Sequence, residues 1–391
     1  MIKRRLLALV LAVAATLPVT GISAETSERS DTTVYFGSSL VPLIDIGFDT
    51  QAQSAALIEA ETGALIAGKN CGERLPMAST TKIMTALIVA ENCDLNETVT
   101  VDDTASGVEG SSIYLAKGER MTVEDLLYGL MLASGNDAAV ALACHAAGSV
   151  SAFADMMNAR AAELGLTDTH FVTPNGLTAG GHYTTAYELC LIAREALKNP
   201  VVKTIVSTKY HTTASGEHPR TFKNKNALLW DCEGAFGVKT GYTAASGRCL
   251  VFACEREGMT LIGAVLNCRP MFETASKLLD LAYENCMLCT AVEAGTPVGS
   301  VKIENGAEDL LSVEAKDSII IPMRKGGHEA VEVRISAYGL EAPVLRGSTV
   351  GTLTVYVDGV PYAECPLAAS RDAARRDTLF WLKLLIASFF D

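Results

Sequence analysis

Two side chains near residue 80 have the types and spacing needed for nucleophilic catalysis. Ser79 and Lys82 form a serine-x-x-lysine pair, and residues three apart lie on one face of a helix. A serine hydroxyl is a weak nucleophile near neutral pH unless a neighbouring base accepts its proton. A lysine whose pKa is lowered by burial or by nearby cations can be that base. The pair therefore predicts a serine nucleophile with an amine as its general base.

Two further motifs supply groups that could protonate and hold a peptide. Ser134-Gly135-Asn136 offers a hydroxyl that can relay a proton and an amide that can hold a peptide bond. Lys239-Thr240-Gly241 ends a predicted strand and presents a cation and a hydroxyl, while its glycine lets a substrate backbone approach closely. Each motif alone is more typical of an ordinary loop, a cap or a strand end than of a catalytic site. Their joint occurrence in this order favours a common site.

Helices and strands are predicted around these motifs. Apolar residues recur at helical spacing from Thr80 to Asn92, and Ser79 is expected to cap the N terminus of that helix. An alanine-rich helical region is predicted between about Val123 and Leu197, with a glycine-containing loop at 173–184. The remaining predicted elements are a hairpin at 55–67, strands at 235–240, 249–253 and 261–267, and a closing helix at 274–285.

The pattern changes near Leu288 to short β-like runs, and the pair Asp358-Gly359 is typical of a hairpin turn. We therefore expect a small all-β domain at 288–368. The final segment, 369–391, is predicted as an amphipathic helix rich in Leu, Phe and Trp, with three basic residues between Arg375 and Lys383. It is too short to span a bilayer but suits the membrane interface, with its cations on lipid headgroups. A helix docked on its own protein is the alternative.

The first residues indicate an exported protein. Residues 1–24 have basic residues, an apolar run and a small-residue end, which is typical of a cleaved secretory signal peptide; an uncleaved anchor is the alternative. A flexible mature N terminus is then expected at 25–37, before a catalytic domain at 38–287. The predicted location is the extracytoplasmic face of the bacterial membrane, to which the C-terminal helix would bind peripherally.

Charge, cysteine and histidine patterns argue against several functions. The formal net charge of −13 at pH 7 repels phosphate backbones, so nucleic acid is not expected as a partner. The 11 cysteines form no disulfide-framework pattern, and most are expected to be small buried hydrophobes. Cys286 and Cys289 form a C-x-x-C pair with no second pair at zinc spacing. The histidines form no H-E-x-x-H cluster, so no metal or other cofactor is expected.

Taken together, the motifs resemble the D-alanyl-D-alanine carboxypeptidase branch of the penicillin-binding proteins. Segments similar to that branch lie at 77–86, 110–112, 132–139, 164–166, 175–177 and 237–243. The resemblance implies an α/β (α+β) penicillin-binding protein/β-lactamase-like transpeptidase fold, in which helices and a helical subdomain flank an antiparallel sheet and a small all-β domain follows. It also implies a serine carboxypeptidase that removes the terminal D-alanine from peptidoglycan stem peptides and is inhibited covalently by β-lactams.

The resemblance assigns catalytic roles to three residues. Ser79 would attack the carbonyl between the two terminal D-alanines, and Lys82 would accept its proton. Ser134 would pass a proton to the departing D-alanine. Water would then release the shortened peptide from the acyl-enzyme.

The resemblance assigns substrate binding to five further residues. Asn136 would bind the peptide amide, whereas Lys239 and Thr240 would hold the free carboxylate. Gly241 would lie beside the substrate backbone. The backbone N–H of Tyr242, together with that of the nucleophile, would form the oxyanion hole.

Four positions depart from the family pattern or extend it. Asn175 stands where relatives often have histidine before Gly-Leu, and Tyr242 stands where some have histidine after Lys-Thr-Gly. Lys225 occupies a position where some relatives have arginine, and Arg269 is a further candidate for lining the site. The two departures are expected to change rate or substrate preference.

Three other functions fit part of the pattern. A β-lactamase would need a carboxylate to activate water, yet the chain has no E-x-x-L-N string and the loop at 173–184 contains no acid. A transpeptidase or endopeptidase would use the same acyl-enzyme, so the sequence leaves these open. A non-catalytic wall-binding protein is disfavoured by the intact Ser79, Lys82 and Lys239.

Overall fold

The computed structural model describes residues 33–35 and 41–387 of the chain. The predicted signal peptide at 1–24 lies outside the described residues, as does most of the segment at 25–37. Within that segment, for which the sequence predicts flexibility, Val34–Tyr35 forms a short strand that pairs with a strand near the C terminus.

Helices and strands alternate through the larger part of the described chain, and strands dominate the last part. In chain order the strands are Val34–Tyr35 (β1), Ala52–Glu59 (β2), Leu65–Lys69 (β3), Thr98–Thr100 (β4), Arg120–Thr122 (β5), Tyr210–Thr212 (β6), Thr221–Lys223 (β7), Ala235–Thr243 (β8), Gly247–Arg256 (β9), Met259–Cys268 (β10), Cys286–Val292 (β11), Pro297–Lys302 (β12), Leu310–Ala315 (β13), Ile319–Arg324 (β14), Val331–Ala337 (β15), Thr349–Val357 (β16) and Val360–Ala369 (β17). The α-helices are Lys82–Asn92 (α1), Val123–Tyr128 (α2), Asn136–Ala147 (α3), Val150–Glu163 (α4), Ala186–Lys198 (α5), Pro200–Ser207 (α6), Leu228–Asp231 (α7), Met271–Asn285 (α8) and Thr378–Ala387 (α9). A 3-10 turn at Ala78–Thr81 precedes α1, and a π-helical turn at Gly129–Ala133 follows α2.

A five-stranded antiparallel sheet with the order β3-β2-β10-β9-β8 forms the centre of the larger domain. The inner strands are rich in Val, Leu, Ile and Ala and are buried on both faces, so they need helices above and below. Helix α8 covers one face, and α5 with α1 covers the other. Strand β8 lies at the edge of the sheet, so one of its sides has no partner strand.

The helical region between β5 and β6 has local signals that fix its helix ends. Helix α5 begins after Thr185, whose hydroxyl accepts a hydrogen bond from the backbone N–H of Glu188. Helix α6 begins at Pro200 after Asn199, whose side chain accepts from the N–H of Val201. These caps and the apolar faces of the helices explain why the sequence predicted this region well.

The last part of the chain forms a β domain. Its main sheet has the order β12-β13-β17-β16-β15, with β1 added along β17, while β11 pairs with β14. Strands β16 and β17 are joined at Asp358-Gly359, where both residues have positive φ as a tight hairpin turn requires. The predicted turn is therefore confirmed.

The C-terminal helix is shorter than the sequence predicts. Helix α9 begins at Thr378, because Ala373 and Arg375 form isolated bridges with the β domain instead. The guanidinium of Arg375 lies 3.3 Å from the carboxylate of Glu341, and that of Arg376 lies 2.5 Å from Asp309. Both cations, which are predicted to contact lipid headgroups, thus form ion pairs within the protein.

Within the described ranges, no single helix is both long enough and apolar enough to cross a membrane. Helices α3 and α4 meet that length and composition criterion only as a pair bent by 82°. Most side chains of α3 are buried inside the larger domain.

Candidate active site

The segment that carries the candidate nucleophile is a 3-10 turn rather than the first turn of an α-helix. Ser79 lies inside this turn and does not cap α1, so the capping prediction is wrong. The hydroxyl of Thr80 donates back to the carbonyl of Met77 at 2.6 Å, and the hydroxyl of Thr81 donates to that of Ala78 at 2.8 Å. These bonds accompany the tighter winding, which still places Lys82 Nζ 2.9 Å from Ser79 Oγ.

Lys82 is fully buried and contacts three oxygen atoms. Its Nζ lies 2.9 Å from Ser79 Oγ, 2.7 Å from Asn136 Oδ1 and 2.6 Å from the carbonyl oxygen of Asn175. The orientation of the Asn136 amide is fixed by its other end, because Nδ2 lies 2.7 Å from the carbonyl of Glu109, which can only accept. Asn136 Oδ1 is therefore the atom that faces the amine.

This arrangement decides where the lone pair of a neutral Lys82 points. The amide oxygen of Asn136 and the carbonyl of Asn175 can only accept hydrogen bonds, so they hold the two N–H groups of a neutral amine. The lone pair is then left for Ser79, whose O–H can donate to it. The geometry thus makes Lys82 a base directed at the serine hydroxyl.

Burial and nearby cations lower the pKa of Lys82 well below its ordinary value. Burial is the largest cause, followed by the positive charges of Lys239 and Lys225, whereas Asp137 acts in the opposite direction. The pKa of Lys239 is lowered to about 7, chiefly by its own burial and also by Lys225. One amine is thus suited to accept a proton near neutral pH, and the other retains a cationic fraction there.

Ser134 ends the π-helical turn in a left-handed conformation with φ of 66°. Its side chain is buried and makes no hydrogen bond to another described residue. The following Gly135 lets α3 begin at once with Asn136. Only Gly135 thus separates Ser134 from Asn136, the residue whose amide contacts Lys82.

Edge strand β8 lies against the turn that carries Ser79. A Cβ placed on Gly241 would lie 3.1 Å from the backbone N of Ser79 and from Ala78 Cβ, so this close approach favours glycine. Lys239 is 1% exposed, and its Nζ lies 3.1 Å from the carbonyl of Thr240. On its unpaired side, β8 therefore presents backbone N–H and C=O groups, together with the Lys239 amine, beside Ser79.

The other candidate residues, Tyr242, Lys225 and Arg269, differ in their surroundings. Tyr242 is 57% exposed, with the guanidinium of Arg248 5.8 Å from its ring centroid. Lys225 Nζ lies 3.3 Å from Ser111 Oγ and raises the positive potential at Lys82 and Lys239. Arg269 lines a cavity of about 490 Å³ with Pro270, Met271, Phe272 and Arg248, the residue that contacts Tyr242.

Sequence reasoning missed the groups that fix the loop at 173–184. The imidazole of buried His182 accepts from the N–H of Val172 through Nδ1 at 3.0 Å, so its Nε2 carries the proton that it shares with Thr81 Oγ1 at 2.8 Å. The hydroxyl of Thr85 donates to the carbonyl of Pro174 at 2.6 Å. These contacts hold the loop whose Asn175 carbonyl binds Lys82, and a backbone carbonyl leaves no signal in a sequence.

Asp137 is a second anchor that sequence reasoning did not single out, although it follows Asn136 directly. Its carboxylate accepts from the hydroxyl of Ser112 at 2.6 Å and from the N–H of Leu115 at 3.0 Å. It therefore ties the start of α3 to the loop between β4 and β5, just after Ser111. A groove of about 560 Å³ opens next to Lys225 and is lined by Lys223, Asn224, Lys225, Ala227, Trp230 and Asp231.

No group of three or more metal-ligating side chains is found among the residues that the structure describes. The 11 cysteines are all free, and seven of them are buried. The C-x-x-C pair starts strand β11, with Cys286 buried and Cys289 partly buried.

Two known protein families match this chain, one in each domain. Residues 42–269 match the peptidase family described as D-alanyl-D-alanine carboxypeptidase, and residues 289–375 match the family described as the C-terminal domain of penicillin-binding protein 5. The chain is 34% identical over 346 residues to the D-alanyl-D-alanine carboxypeptidase DacF of Bacillus subtilis, which covers 85% of this chain and 88% of that protein.

Solved structures show the same architecture. Penicillin-binding protein 5 from Haemophilus influenzae superposes with a TM-score of 0.73 at 28% identity, covering 84% of this chain and 99% of that one. A point mutant of a Streptomyces DD-transpeptidase superposes with a TM-score of 0.58 at 36% identity, covering 61% of this chain and 99% of that one. These likenesses confirm the predicted fold class.

Proposed function

The chain belongs to the D-alanyl-D-alanine carboxypeptidase family of serine peptidases, and we propose that it removes the terminal D-alanine of peptidoglycan pentapeptide stems through an acyl-enzyme on Ser79. It is thus a hydrolase of the penicillin-binding type. The observation that carries the proposed mechanism is the contact set of Lys82, which leaves its lone pair for Ser79 Oγ.

In the proposed reaction Ser79 Oγ attacks the carbonyl carbon of the penultimate D-alanine while its proton passes to Lys82 Nζ. The bond to the terminal D-alanine nitrogen then breaks, and that nitrogen takes a proton delivered from Lys82 through the Ser134 hydroxyl. Water attacks the resulting ester, returns a proton to the amine and releases the shortened peptide. Lys82 passes that proton to Ser79 Oγ as the ester bond breaks, so the serine hydroxyl and the neutral amine are both regenerated.

The free carboxylate of the substrate is proposed to bind at β8. Lys239 supplies the cation and Thr240 a hydroxyl, and the unpaired side of this edge strand can hydrogen-bond the peptide backbone. The N–H groups of Ser79 and Tyr242 are proposed to hold the oxyanion. Asn136 contacts both Lys82 and Glu109, so we propose that it positions the amine in addition to facing the peptide amide.

Product analysis with a synthetic pentapeptide ending in D-Ala-D-Ala tests this function. Equal amounts of tetrapeptide and free D-alanine are expected from wild type, and none from Ser79→Ala. Consumption of the peptide without release of free D-alanine would contradict the proposal.

Transpeptidation is the second candidate, since the chain resembles a Streptomyces DD-transpeptidase over 61% of its length. An amine acceptor would then replace water on the same acyl-enzyme. The same assay, run with an added amino acceptor, separates the two. Cross-linked or acceptor-bound product as the main species would make the protein a transpeptidase.

β-Lactams are the proposed covalent inhibitors, because they acylate the same serine. The loop at 173–184 contains no acid that could activate water against the resulting ester. Slow release of the bound drug is therefore expected, rather than the rapid turnover of a β-lactamase.

We further propose that the protein is exported and lies on the outer face of the membrane, held there by α9. Three features support this: the leader-like pattern at 1–24, the short apolar helix, and the exposure of Trp381, Leu382 and Ile386 by half or more. Aromatic and aliphatic side chains presented together on a short helix are typical of interfacial binding.

A further inference from the structure

Two cysteines meet on the side of the sheet where α7 leads into β8. Cys232 follows the last residue of α7, and Cys254 lies on β9 opposite Ala235. Cys254 Sγ lies 3.3 Å from the carbonyl oxygen of Glu233, and Cys232 Sγ lies 3.9 Å from the same oxygen. Both sulfurs thus approach one and the same carbonyl oxygen. They are therefore close in space although 22 positions apart in the chain.

The two thiols differ in accessibility. Cys254 is fully buried, whereas Cys232 is partly exposed. The turn between Cys232 and Ala235 passes closely over Cys254, because a Cβ placed on Gly234 would lie 3.2 Å from its sulfur. A reagent from solvent can thus reach Cys232 first, with Cys254 directly behind it.

The surroundings of Cys232 favour its thiolate. The guanidinium of Arg256 lies 3.3 Å from Cys232 Sγ, and it is held in place by the carbonyl of Glu233 at 3.0 Å and by Asp280 at 2.8 Å. The neighbouring Cys254 thiol and the contact with Arg256 together hold the pKa of the Cys232 thiol below its usual value, despite partial burial.

Two other partly buried cysteines, Cys93 and Cys289, lack these features. Burial raises the pKa of Cys93, and the charge of Glu97 acts in the same direction. Burial also raises the pKa of Cys289. These two residues therefore serve as internal controls of comparable accessibility without a cationic partner.

We propose that Cys232 and Cys254 form a dithiol modification site that reacts with low-molecular-mass disulfides and closes to an internal disulfide. The partly exposed Cys232 is the attacking residue and the buried Cys254 is the resolving residue. Arg256 positions and stabilises the attacking sulfur. This chemistry is independent of the acyl-enzyme on Ser79.

The reaction is a pair of thiol–disulfide exchanges. The Cys232 thiolate attacks one sulfur of a disulfide R–S–S–R, forms a mixed disulfide and expels one thiolate RS⁻, which takes up a proton. Cys254 then loses its proton and attacks the Cys232 sulfur, so that the S–S bond to R breaks and a second RSH leaves. The protein loses two electrons and two protons, and the external disulfide gains both.

Closure would link the end of α7 to the middle of the sheet. The segment just before α7 carries Lys225, and the segment just after Cys232 leads into β8 with Lys239. The disulfide would therefore restrain the chain segment that joins Lys225 to Lys239, two cations of the active site.

Incubation of the full chain with oxidised glutathione, followed by alkylation and peptide mass spectrometry, tests the proposal. We expect a Cys232–Cys254 disulfide as the main product, formed at least about tenfold faster than any adduct at Cys93 or Cys289. A thiol reductant should reverse it. Equal reactivity of Cys232 and the two control cysteines would overturn the proposal.

Single variants resolve the order of the two steps. Cys254→Ser should stop the reaction at a glutathione adduct on Cys232, whereas Cys232→Ser should leave Cys254 unmodified. An adduct on Cys254 in the second variant, or none on Cys232 in the first, would contradict the assigned roles. The wild-type comparison of the three cysteines stands even if a variant fails to fold. Penicillin acylation measured in parallel reports separately on the Ser79 site.

Discussion

At the scale of single residues, the chemistry depends on which atoms surround one buried amine. Two carbonyl oxygens that can only accept hydrogen bonds orient Lys82, and the third contact is the serine hydroxyl. The sequence predicted the Ser79–Lys82 pair from spacing alone. It could not predict the contribution of Asn175, because that residue acts through its backbone and not through its side chain.

Lys82→Met tests the assignment of the base while keeping much of the buried volume. Acylation of Ser79 by a fluorescent penicillin should slow by about 10²–10⁴-fold, the usual contribution of a positioned general base. The rate is measured by gel fluorescence over time, with thermal unfolding as the control for folding. A variant that is folded and acylated within threefold of wild type would remove Lys82 from the mechanism.

The two amines predict a bell-shaped dependence of activity on pH. Acylation needs neutral Lys82, so its rate should fall as the pH drops through the lowered pKa of that residue. Carboxylate binding needs charged Lys239, whose pKa is about 7, so peptide binding should weaken as the pH rises above that value. The pH profile of kcat/KM for the pentapeptide measures both limbs.

Replacement of Lys225 tests the electrostatic part of that argument. Its charge lowers the pKa of both active-site amines, so Lys225→Gln should raise both values and move both limbs of the profile to higher pH. Lys302, which lies in the β domain, provides a matched charge removal as Lys302→Gln. An unshifted profile for Lys225→Gln would contradict the assigned cause of the pKa shifts.

At the scale of elements, the site depends on how closely edge strand β8 approaches the 3-10 turn. Gly241→Ala would place a methyl group 3.1 Å from the backbone N of Ser79. The resulting displacement should slow acylation by roughly tenfold to a hundredfold, since small misplacements of reacting groups are costly. Gly47→Ala is the control, because open space surrounds that position. Equal acylation rates for the two variants would contradict the importance of this approach.

The loop at 173–184 depends on a neutral buried histidine. Burial lowers the pKa of His182 to about 4, so its stabilising effect is present above about pH 6.5 and is lost as the pH falls towards 4. His182→Gln should lower the free energy of unfolding at pH 7 by about 1–3 kcal/mol through loss of its buried hydrogen bonds. The difference from wild type should shrink at pH 4.5, as measured by urea denaturation. An equal difference at both pH values would show that the pKa of His182 is the same in the folded and the unfolded protein.

Elements with strong periodicity or caps could be predicted, whereas the exact winding at the nucleophile could not. The hairpin at 55–67 and the strand at 235–240 follow from alternation and turn residues, and both are confirmed. Ser79 was expected to cap a helix because serine prefers that position. The hydroxyls of Thr80 and Thr81 instead bond back to the chain, and this local competition is not visible in a hydrophobic pattern.

At the scale of the whole molecule, a catalytic domain is followed by a β domain and a short apolar helix. The composition change near residue 288 was enough to predict the second domain. The ion pairs of Arg375 and Arg376 were not predictable, because their partners Glu341 and Asp309 lie more than 30 positions away in the chain. The membrane binding that we propose for α9 would therefore depend on apolar side chains more than on these two cations.

A chain ending at Asp377 tests that interpretation, since it lacks α9 but keeps the β domain. Co-sedimentation with anionic lipid vesicles should be lost in the shortened chain and kept in the full chain. Raising the salt concentration should weaken binding of the full chain only slightly, because burial of apolar groups is not screened. Retained binding of the shortened chain would place the membrane contact elsewhere.

The most direct test of the central claim is the intact mass of the folded protein after exposure to benzylpenicillin, followed by peptide mapping. The account predicts one covalent adduct per chain, located on Ser79 and absent from Ser79→Ala. A folded wild-type protein that gains no adduct, or gains one at another residue, would contradict it.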